Sequence, residues 1–282
     1  MLKFLTPDRK GKQEPYSYRS RARLVGKCIT NIGQADKNDI VVLGRIHNEF
    51  HVEQLRDYGI KYIHDICDNK WPVLEKLWSN TNSTATAITT TCNELKKLIE
   101  EKVNKPVYVI PDPTERDEEP VKFNPNPVRM SALYYGSAGN LNQIDWRQYD
   151  LSKVALQIMS NKGPIIWSYK LQGEMVRQSD IVLLPVDNDH EMTKYKGNNR
   201  PVDALRQGRF VITNATIPSW RKLQKFIWCG DINEGINWAI NNPKEVIKKV
   251  EEGQKLVASI YTPEKITREW ERVYNVCDTR NS

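Results

Sequence analysis

The sequence predicts an α/β protein made of two doubly wound, Rossmann-like domains that face each other across a cleft. Three observations predict this fold. Short runs that are apolar throughout alternate with segments of helical length along most of the 282 residues. Such runs are typical of parallel strands that are buried on both faces of a sheet. A proline-rich stretch divides the pattern in the middle, and one further helix follows the elements of the second half.

The first half of the chain predicts a Rossmann-like domain over residues 1–118. Its candidate strands are the runs KFL, DIVVLG, KYIHDIC, ATAITTT and PVYVIPD. Its candidate helices are SYRSRARLVGKCITNI, NEFHVEQLRDYG and CNELKKLIEEKV, which lie between those strands. Alternating strands and helices predict a parallel sheet, because parallel strands need crossover connections.

A linker over residues 119–127 and a second domain over 128–260 follow. Five of the fifteen prolines lie between Pro111 and Pro127, a density that excludes a continuous helix or central strand. Beyond it, strands are predicted at VRMSALYYG, VALQIMS, DIVLLPV, RFVIT and FIWCGD. The helices between and after them are LQGEMVRQS, RPVDALRQG, INEGINWAI and PKEVIKKVEEGQKLVASI.

Residues 261–282 predict a C-terminal helix that crosses back to the first domain, followed by a tail. Thr262 is a good helix cap, Pro263 suits the first helical position, and Glu264 complements the positive end of the helix. The helix begins after the strands of the second domain have ended, so it is free to join the two halves.

The positive charge is concentrated at the N-terminus. The chain carries a net charge of +7, of which residues 1–30 contribute +6, from eight lysines and arginines against two acids. A basic segment on a nearly neutral body indicates a phosphate-rich partner, either nucleic acid or an anionic membrane surface. A solvated cluster that only aids solubility is the alternative.

The remaining composition predicts a cytoplasmic protein. Five scattered cysteines show no metal-ligand or redox spacing, which favours reduced thiols. No apolar run approaches the roughly 18 residues of a membrane span, and the first residues lack the apolar core of a leader peptide. We expect a monomer or a homodimer.

The strongest chemical signal is a basic loop that precedes a helix. DIVLLPV is a buried strand, and the loop DNDHEMTKYKGNNR follows its carboxyl end, where open parallel sheets bind ligands. Pro201 suits the first turn of the next helix, so the free amides of that turn face the loop. The alternative is a solvated basic loop. The predicted diphosphate-binding residues are Lys194, Lys196, Gly197, Asn198, Asn199 and Arg200.

The helix after this loop resembles the donor-site helix of GT-B glycosyltransferases, close to the large group 1, family 4-like family of retaining enzymes. RPVDALRQGRFVI places Asp203 at the acidic position of that pattern and Gly208 at its glycine. The resemblance implies that Asp203 accepts hydrogen bonds from the ribose of a nucleotide sugar. The family often has a glutamate eight residues earlier, where this chain has Tyr195, so Glu191 or Asp189 is left to contact the sugar.

Two further segments resemble the same family. ALYYGSAGN is similar to its glycine-rich turn, which implies that Gly136 and Ser137 approach the donor phosphates. IIWSYKLQGEMVRQSDIVLLP is similar to the segment that holds the donor base, which implies stacking on Trp167. A plain turn and a packing tryptophan are the alternatives. The expected cosubstrate is a UDP-sugar, and neither a cofactor nor a metal is required; the triplet DND is the one feature that points to a metal.

The resemblance also implies that the first domain binds the acceptor, and it suggests three acid–base residues there. The segment KYIHDICDN resembles a strand that ends near the acceptor site, and its His64, Asp65 and Asp68 are the candidate catalytic groups. A structural histidine and a capping aspartate are the alternatives.

The acceptor is predicted from the basic N-terminus. Viral enzymes that glycosylate hydroxymethylated pyrimidines are GT-B proteins, and a compact phage-type relative would act on 5-hydroxymethylcytosine in DNA. Such an enzyme grips phosphates and turns the base out of the stack. A glycosyltransferase of lipid-linked or surface polysaccharide and a non-catalytic nucleotide- or nucleic-acid-binding protein are the alternatives. The predicted DNA contacts are Tyr18, Arg19, Arg21, Arg23 and Lys27.

Overall fold

The chain folds into two compact units. A computed structural model describes residues 1–7, 19–44, 47–68, 71–115, 122–123 and 129–279, with 19–20, 71–73 and 279 described by their backbone alone. The first unit consists of Met1–Glu115, Tyr195–Gly197 and Tyr261–Ser282. The second unit consists of Arg116–Lys194 and Asn198–Ile260.

The first unit contains a parallel sheet of six strands in the order β2-β1-β3-β4-β5-β6. The order reverses at β1, which lies between β2 and β3. Its strands are β1 (Leu2–Leu5), β2 (Lys27–Ile29), β3 (Ile40–Leu43), β4 (Lys61–Ile66), β5 (Ala87–Thr90) and β6 (Val107–Val109). Its helices so far are α1 (Glu49–Asp57), α2 (Trp71–Thr84) and α3 (Asn93–Glu100), with a short π-helical turn at Arg19–Arg23.

The second unit contains another parallel sheet of six strands, in the order β12-β11-β10-β7-β8-β9. Read from β9, this is the 3-2-1-4-5-6 order of a Rossmann domain, which reverses between β7 and β10. Its strands are β7 (Met130–Gly136), β8 (Val154–Ser160), β9 (Ile165–Ile166), β10 (Ile181–Leu183), β11 (Phe210–Thr213) and β12 (Trp228–Cys229). Its helices are α4 (Ala138–Leu141), α5 (Tyr169–Gln178), α6 (Asn199–Arg206), α7 (Ile232–Asn241) and α8 (Pro243–Ile260).

The last helix, α9 (Pro263–Thr279), completes the first unit. Ile266, Trp270 and Val273 are buried in one apolar cluster with Phe4 and Ile40 of the central strands. The ring of Phe4 meets that of Trp270 edge-on, with centroids 5.1 Å apart. The helix therefore covers one face of the first sheet, in agreement with the prediction that it returns to the first half of the chain.

The predicted fold class of two Rossmann-like domains is confirmed, and every predicted strand is present. The helix predicted over residues 17–32 is wrong in its described part. Arg19–Arg23 forms one π-helical turn and Ile32 begins a short 3-10 turn, but Lys27–Ile29 pairs with β1 instead. A Cβ on Gly26 would lie 2.3 Å from the Phe4 ring, so the chain packs too closely there for a helix side chain.

One helix was missed, and the predicted domain boundaries are not tested. Helix α2 was not predicted, and non-helical backbone angles at Leu74 interrupt its periodicity. The predicted linker over 119–127 falls mostly outside the described residues, so the domain boundaries stay predictions. Within the described ranges, no helix combines the length and apolar composition that crossing a bilayer requires.

Candidate functional site

The crevice of the second unit is set by its strand order. In doubly wound sheets, ligands bind at the carboxyl ends of the strands where the order reverses. That point lies between β7 and β10, which pair directly. The turn after β7 contains Gly136 and Ser137, and the loop after β10 ends at Asn198, just before α6. The start of α6 and the glycine-containing turn thus lie at the same edge of one sheet.

Two helices follow the strands at the reversal point, α4 after β7 and α6 after β10, and only α4 has its first turn capped by side chains. At α4, Ser137 Oγ accepts from the amide of Asn140, and Asn161 Oδ1 accepts from the amide of Ala138 at 2.8 Å. At α6, the cap residue Asn198 makes no side-chain hydrogen bond to the helix. Pro201 in that first turn has no N–H to satisfy. The start of α6 is therefore the one suited to an anionic ligand.

Arg200 adds a full charge to the start of α6. Its Nη1 donates to the carbonyl of Tyr135 at 3.4 Å, and Tyr135 Oη donates to the carbonyl of Arg200 at 3.0 Å. Among the described residues, no carboxylate forms an ion pair with Arg200. A main-chain carbonyl neutralises little of a guanidinium charge, so the charge is left for a ligand.

Gly136 lies against Tyr134 and Arg200, and its predicted contact with a phosphate stays a prediction. It was predicted to let a phosphate approach the backbone. A Cβ at this position would lie 2.7 Å from Tyr134 Oη and 3.4 Å from Arg200 Nη1. The space that the glycine leaves empty is therefore occupied by the tyrosine hydroxyl and the guanidinium.

The other predicted donor residues differ in exposure. Asn198 and Asp203 are each 2% exposed, and no hydrogen-bond partner for Asn198 Oδ1 lies among the described residues. Trp167 is half-buried after β9 and its Nε1 donates to Gln172 Oε1. Ser137 and Lys194 are exposed, and Asn199 is half-buried.

Lys194 borders a pocket of about 250 Å³ at the carboxyl ends of β10 and β11. Asp189 and Glu191, the two acids suggested for sugar contact, line the same pocket together with His190 and Thr216. Lys196 and Gly197, by contrast, group with the first unit, where a Cβ on Gly197 would lie 3.0 Å from Asp112 Oδ2.

The first unit contains a buried charge cluster that the sequence did not reveal. Arg21 Nε and Nη2 donate to Asp65 Oδ2 and Oδ1 at 2.9 and 2.8 Å, and Nη1 donates to Asp112 Oδ1 at 3.1 Å. Arg21 was expected to contact DNA, yet it is 1% exposed. An arginine that crosses from the N-terminal segment to two buried carboxylates has no face left for a phosphate backbone. This is a correction of its expected surface position.

The two carboxylates of the cluster differ in their pKa. Burial alone would raise the pKa of Asp65, but Arg21 and the hydroxyl of Thr89 hold it below its usual value. Burial, together with repulsion from Asp65 and Asp68, raises the pKa of Asp112 in spite of Arg21. Asp112 is therefore the better proton acceptor of the two.

His64 lies in the interior and is neutral. Its Nδ1 shares a hydrogen bond of 2.6 Å with Asn82 Oδ1, and its ring packs edge-on against His47 with centroids 4.6 Å apart. Burial and the neighbouring His47 lower its pKa to about 3. Asp68, by contrast, is exposed just beyond the end of β4. Of the three predicted acid–base residues, Asp68 is the one that solvent reaches.

The predicted acceptor contacts are only partly described. Arg23 and Lys27 are exposed. Tyr18 and the side chain of Arg19 lie outside the described residues. No group of three histidine, cysteine or carboxylate side chains suited to a metal ion is found in the part of the chain that the structure describes.

Comparison with known proteins identifies the fold of the chain. No protein-family model matches the chain, and no curated protein sequence matches it. The structure of HepE from Anabaena in complex with UDP-glucose matches with a TM-score of 0.57 at 9% identity, over 98% of this chain and 99% of HepE. Two six-stranded Rossmann-like sheets are present here, and the solved neighbours are GT-B glycosyltransferases. The chain has the GT-B fold.

Larger GT-B structures match as well. A mutant of TarM from S. aureus, in complex with fondaparinux, α-GlcNAc-glycerol and UDP, has a TM-score of 0.59 at 10% identity, over 85% of this chain and 56% of TarM. The pneumococcal O-GlcNAc transferase GtfA, in complex with UDP and GlcNAc, has a TM-score of 0.57 at 9% identity, over 86% of this chain and 58% of GtfA. The chain spans just over half the length of these two proteins.

The buried histidine predicts a pH dependence of stability. The folded state holds the pKa of His64 at about 3, whereas an unfolded histidine has a pKa of about 6.5. Below about pH 6.5 the unfolded chain therefore binds more protons than the folded chain. The free energy of unfolding should be fully retained above about pH 6.5. It should fall with decreasing pH by up to about 1.4 kcal/mol per pH unit for this group.

Urea unfolding between pH 7.5 and 5 measures the effect. His64→Gln should flatten the dependence, while His190→Gln, which removes an exposed histidine, should leave it unchanged. An equally steep dependence in His64→Gln would show that other groups cause it.

Proposed function

We propose that the chain is a glycosyltransferase that moves a sugar from a nucleotide sugar, a UDP-sugar, to a hydroxyl group. The observation that carries the proposal is the start of α6, which has no side-chain cap and places Arg200 at the reversal point of a Rossmann sheet. The solved structures of similar fold support the choice of donor, since HepE was solved with UDP-glucose and TarM and GtfA with UDP.

In this proposal, the site stabilises the negative charge of the leaving group. As the bond between the sugar C1 and the diphosphate oxygen breaks, negative charge develops on the departing UDP. The dipole of α6 and the guanidinium of Arg200 stabilise that charge, with Lys194 and Lys196 as further cations. This stabilisation requires no metal ion. In the same proposal, Asp203 accepts from the ribose and Trp167 stacks on the base.

The donor half of the proposal predicts a loss of UDP binding in Arg200→Ala. Removing a charged donor to phosphate should weaken UDP binding about 10- to 100-fold, measured by titration calorimetry. The release of UDP from a panel of UDP-sugars should fall in parallel. Arg206→Ala, at the other end of α6, is the matched control and should bind UDP like the wild type. A wild-type protein that binds neither UDP nor any UDP-sugar would contradict the proposal.

A direct displacement also needs a group that accepts the proton of the attacking hydroxyl. Of the predicted groups His64, Asp65 and Asp68, we propose Asp68 for this role, because its side chain is exposed. His64 is buried and neutral, and Asp65 already accepts from Arg21 and Thr89. Asp112, which repels Asp68 electrostatically and has a raised pKa, is the second candidate.

Amide substitutions separate the two carboxylates. The variant that removes the proton acceptor should lower kcat by about 10²- to 10⁴-fold with unchanged UDP affinity. Asp68→Asn is expected to show this effect, and Asp112→Asn is the comparison. Unchanged kcat in both variants would point to a reaction, such as a retaining one, that takes no proton acceptor from this region.

The acceptor that we propose is 5-hydroxymethylcytosine in DNA, as in phage DNA modification. Residues 1–30 carry +6 of the net charge, and Arg23 and Lys27 within them are exposed. Sequence-independent binding to a phosphate backbone requires exposed positive charges of this kind. The alternatives are a lipid-linked or surface polysaccharide acceptor, which would also attract a basic segment, and a non-catalytic binding protein of the same fold.

Mass spectrometry of nucleosides tests the acceptor. Hydroxymethylcytosine-containing DNA incubated with the protein and a panel of nucleotide sugars should yield a glycosylated nucleoside. Arg23→Glu with Lys27→Glu should weaken salt-sensitive DNA binding and spare UDP binding. The same charge change at the exposed Lys222 and Lys225 of the second unit is the control. Binding to anionic liposomes but not to DNA, with every digest unmodified, would favour the polysaccharide acceptor.

A further inference from the structure

The end of strand β7 is built around Arg200. Three consecutive residues, Tyr134, Tyr135 and Gly136, each lie against it. Tyr135 exchanges two hydrogen bonds with Arg200, one to its backbone carbonyl and one from its guanidinium. Because Arg200 lies in the first turn of α6, the backbone bond ties that turn to β7 as well.

Tyr134 confines the guanidinium from a second side. Its side chain is fully buried, and its ring packs edge-on against Trp146 with centroids 5.3 Å apart, so the ring has no room to swing. A side chain on Gly136 would lie 2.7 Å from Tyr134 Oη and 3.4 Å from Arg200 Nη1, so the two groups share one small space. Burial raises the pKa of Tyr134, and the nearby Arg200 guanidinium opposes that rise.

An arginine has many rotamers in solution, and fixing them at the moment of binding costs affinity. A guanidinium that is already oriented by fixed neighbours avoids that cost and presents its fork to a diphosphate. The buried Tyr134 hydroxyl makes no hydrogen bond within the described residues, so its lone pairs are left for the guanidinium that shares its space.

We propose that Tyr134 is a positioning residue for the donor site. It holds the Arg200 guanidinium in the orientation that binds the UDP diphosphate, and Tyr135 and Gly136 form the remaining contacts of that guanidinium. The proposal rests on the proposed function of the same site. It assigns to a buried tyrosine an effect on UDP affinity that is transmitted through a single arginine.

A double-mutant cycle on UDP affinity tests the transmission. Tyr134→Phe keeps the buried ring and removes only the hydroxyl, so the unfolding midpoint should change little. UDP binding, measured by titration calorimetry, should weaken about tenfold. In an Arg200→Ala background, the same substitution should leave UDP affinity unchanged, because there is no guanidinium left to orient. Tyr149→Phe, in an aromatic cluster with Trp146, is the matched control and should bind UDP like the wild type.

Gly136→Ala provides a second, steric test. Its methyl group should displace the guanidinium and weaken UDP binding. Adding Tyr134→Phe should recover part of the lost stability, since the nearest clash is then removed, but should not recover UDP affinity. Recovered affinity would argue that the hydroxyl has no orienting role.

The outcomes separate this inference from the function on which it rests. Wild-type affinity in Tyr134→Phe, or an equal loss in the Arg200→Ala background, overturns the inference and leaves the proposed function intact. A wild-type protein without measurable UDP binding overturns both.

Discussion

Parallel strand order is the constraint on which the donor side of this protein depends. Every strand of a parallel sheet ends at the same edge, and a reversal of strand order leaves a crevice there. Because β10 lies directly beside β7, the start of α6 reaches the turn after β7, although Tyr135 and Arg200 are 65 positions apart in the chain. A helix dipole, an arginine and a glycine-containing turn converge without any local sequence signal that links them.

The elements that sequence predicts best are those whose signal is local. Apolar runs such as DIVLLPV predicted the strands, and Pro201 after a basic loop predicted the start of α6. The failure over residues 17–32 has the opposite cause. Strand β2 exists because β1 offers a neighbour to pair with and because Gly26 packs on Phe4, and neither fact is visible in the segment itself.

Buried charge explains why part of the candidate site escaped prediction. Arg21 reads as a surface residue in a basic segment, but its partners Asp65 and Asp112 lie 44 and 91 positions away. An unpaired buried charge would cost several kcal/mol, so burial and pairing are decided together by the tertiary fold. The same limit applies to Gly136, whose sequence context indicated a phosphate turn while its neighbours in space are a hydroxyl and a guanidinium.

The C-terminal helix also bears on how the chain is made. Trp270 and its neighbours on α9 complete the core around Phe4, so the sheet that leaves the ribosome first acquires its last covering element only when residues 263–279 emerge. All the strands and helices of the second unit have emerged by residue 260. Domains usually fold in order of synthesis. Here the half begun first is finished last, and the nascent chain carries an uncovered apolar sheet face while the second half is translated.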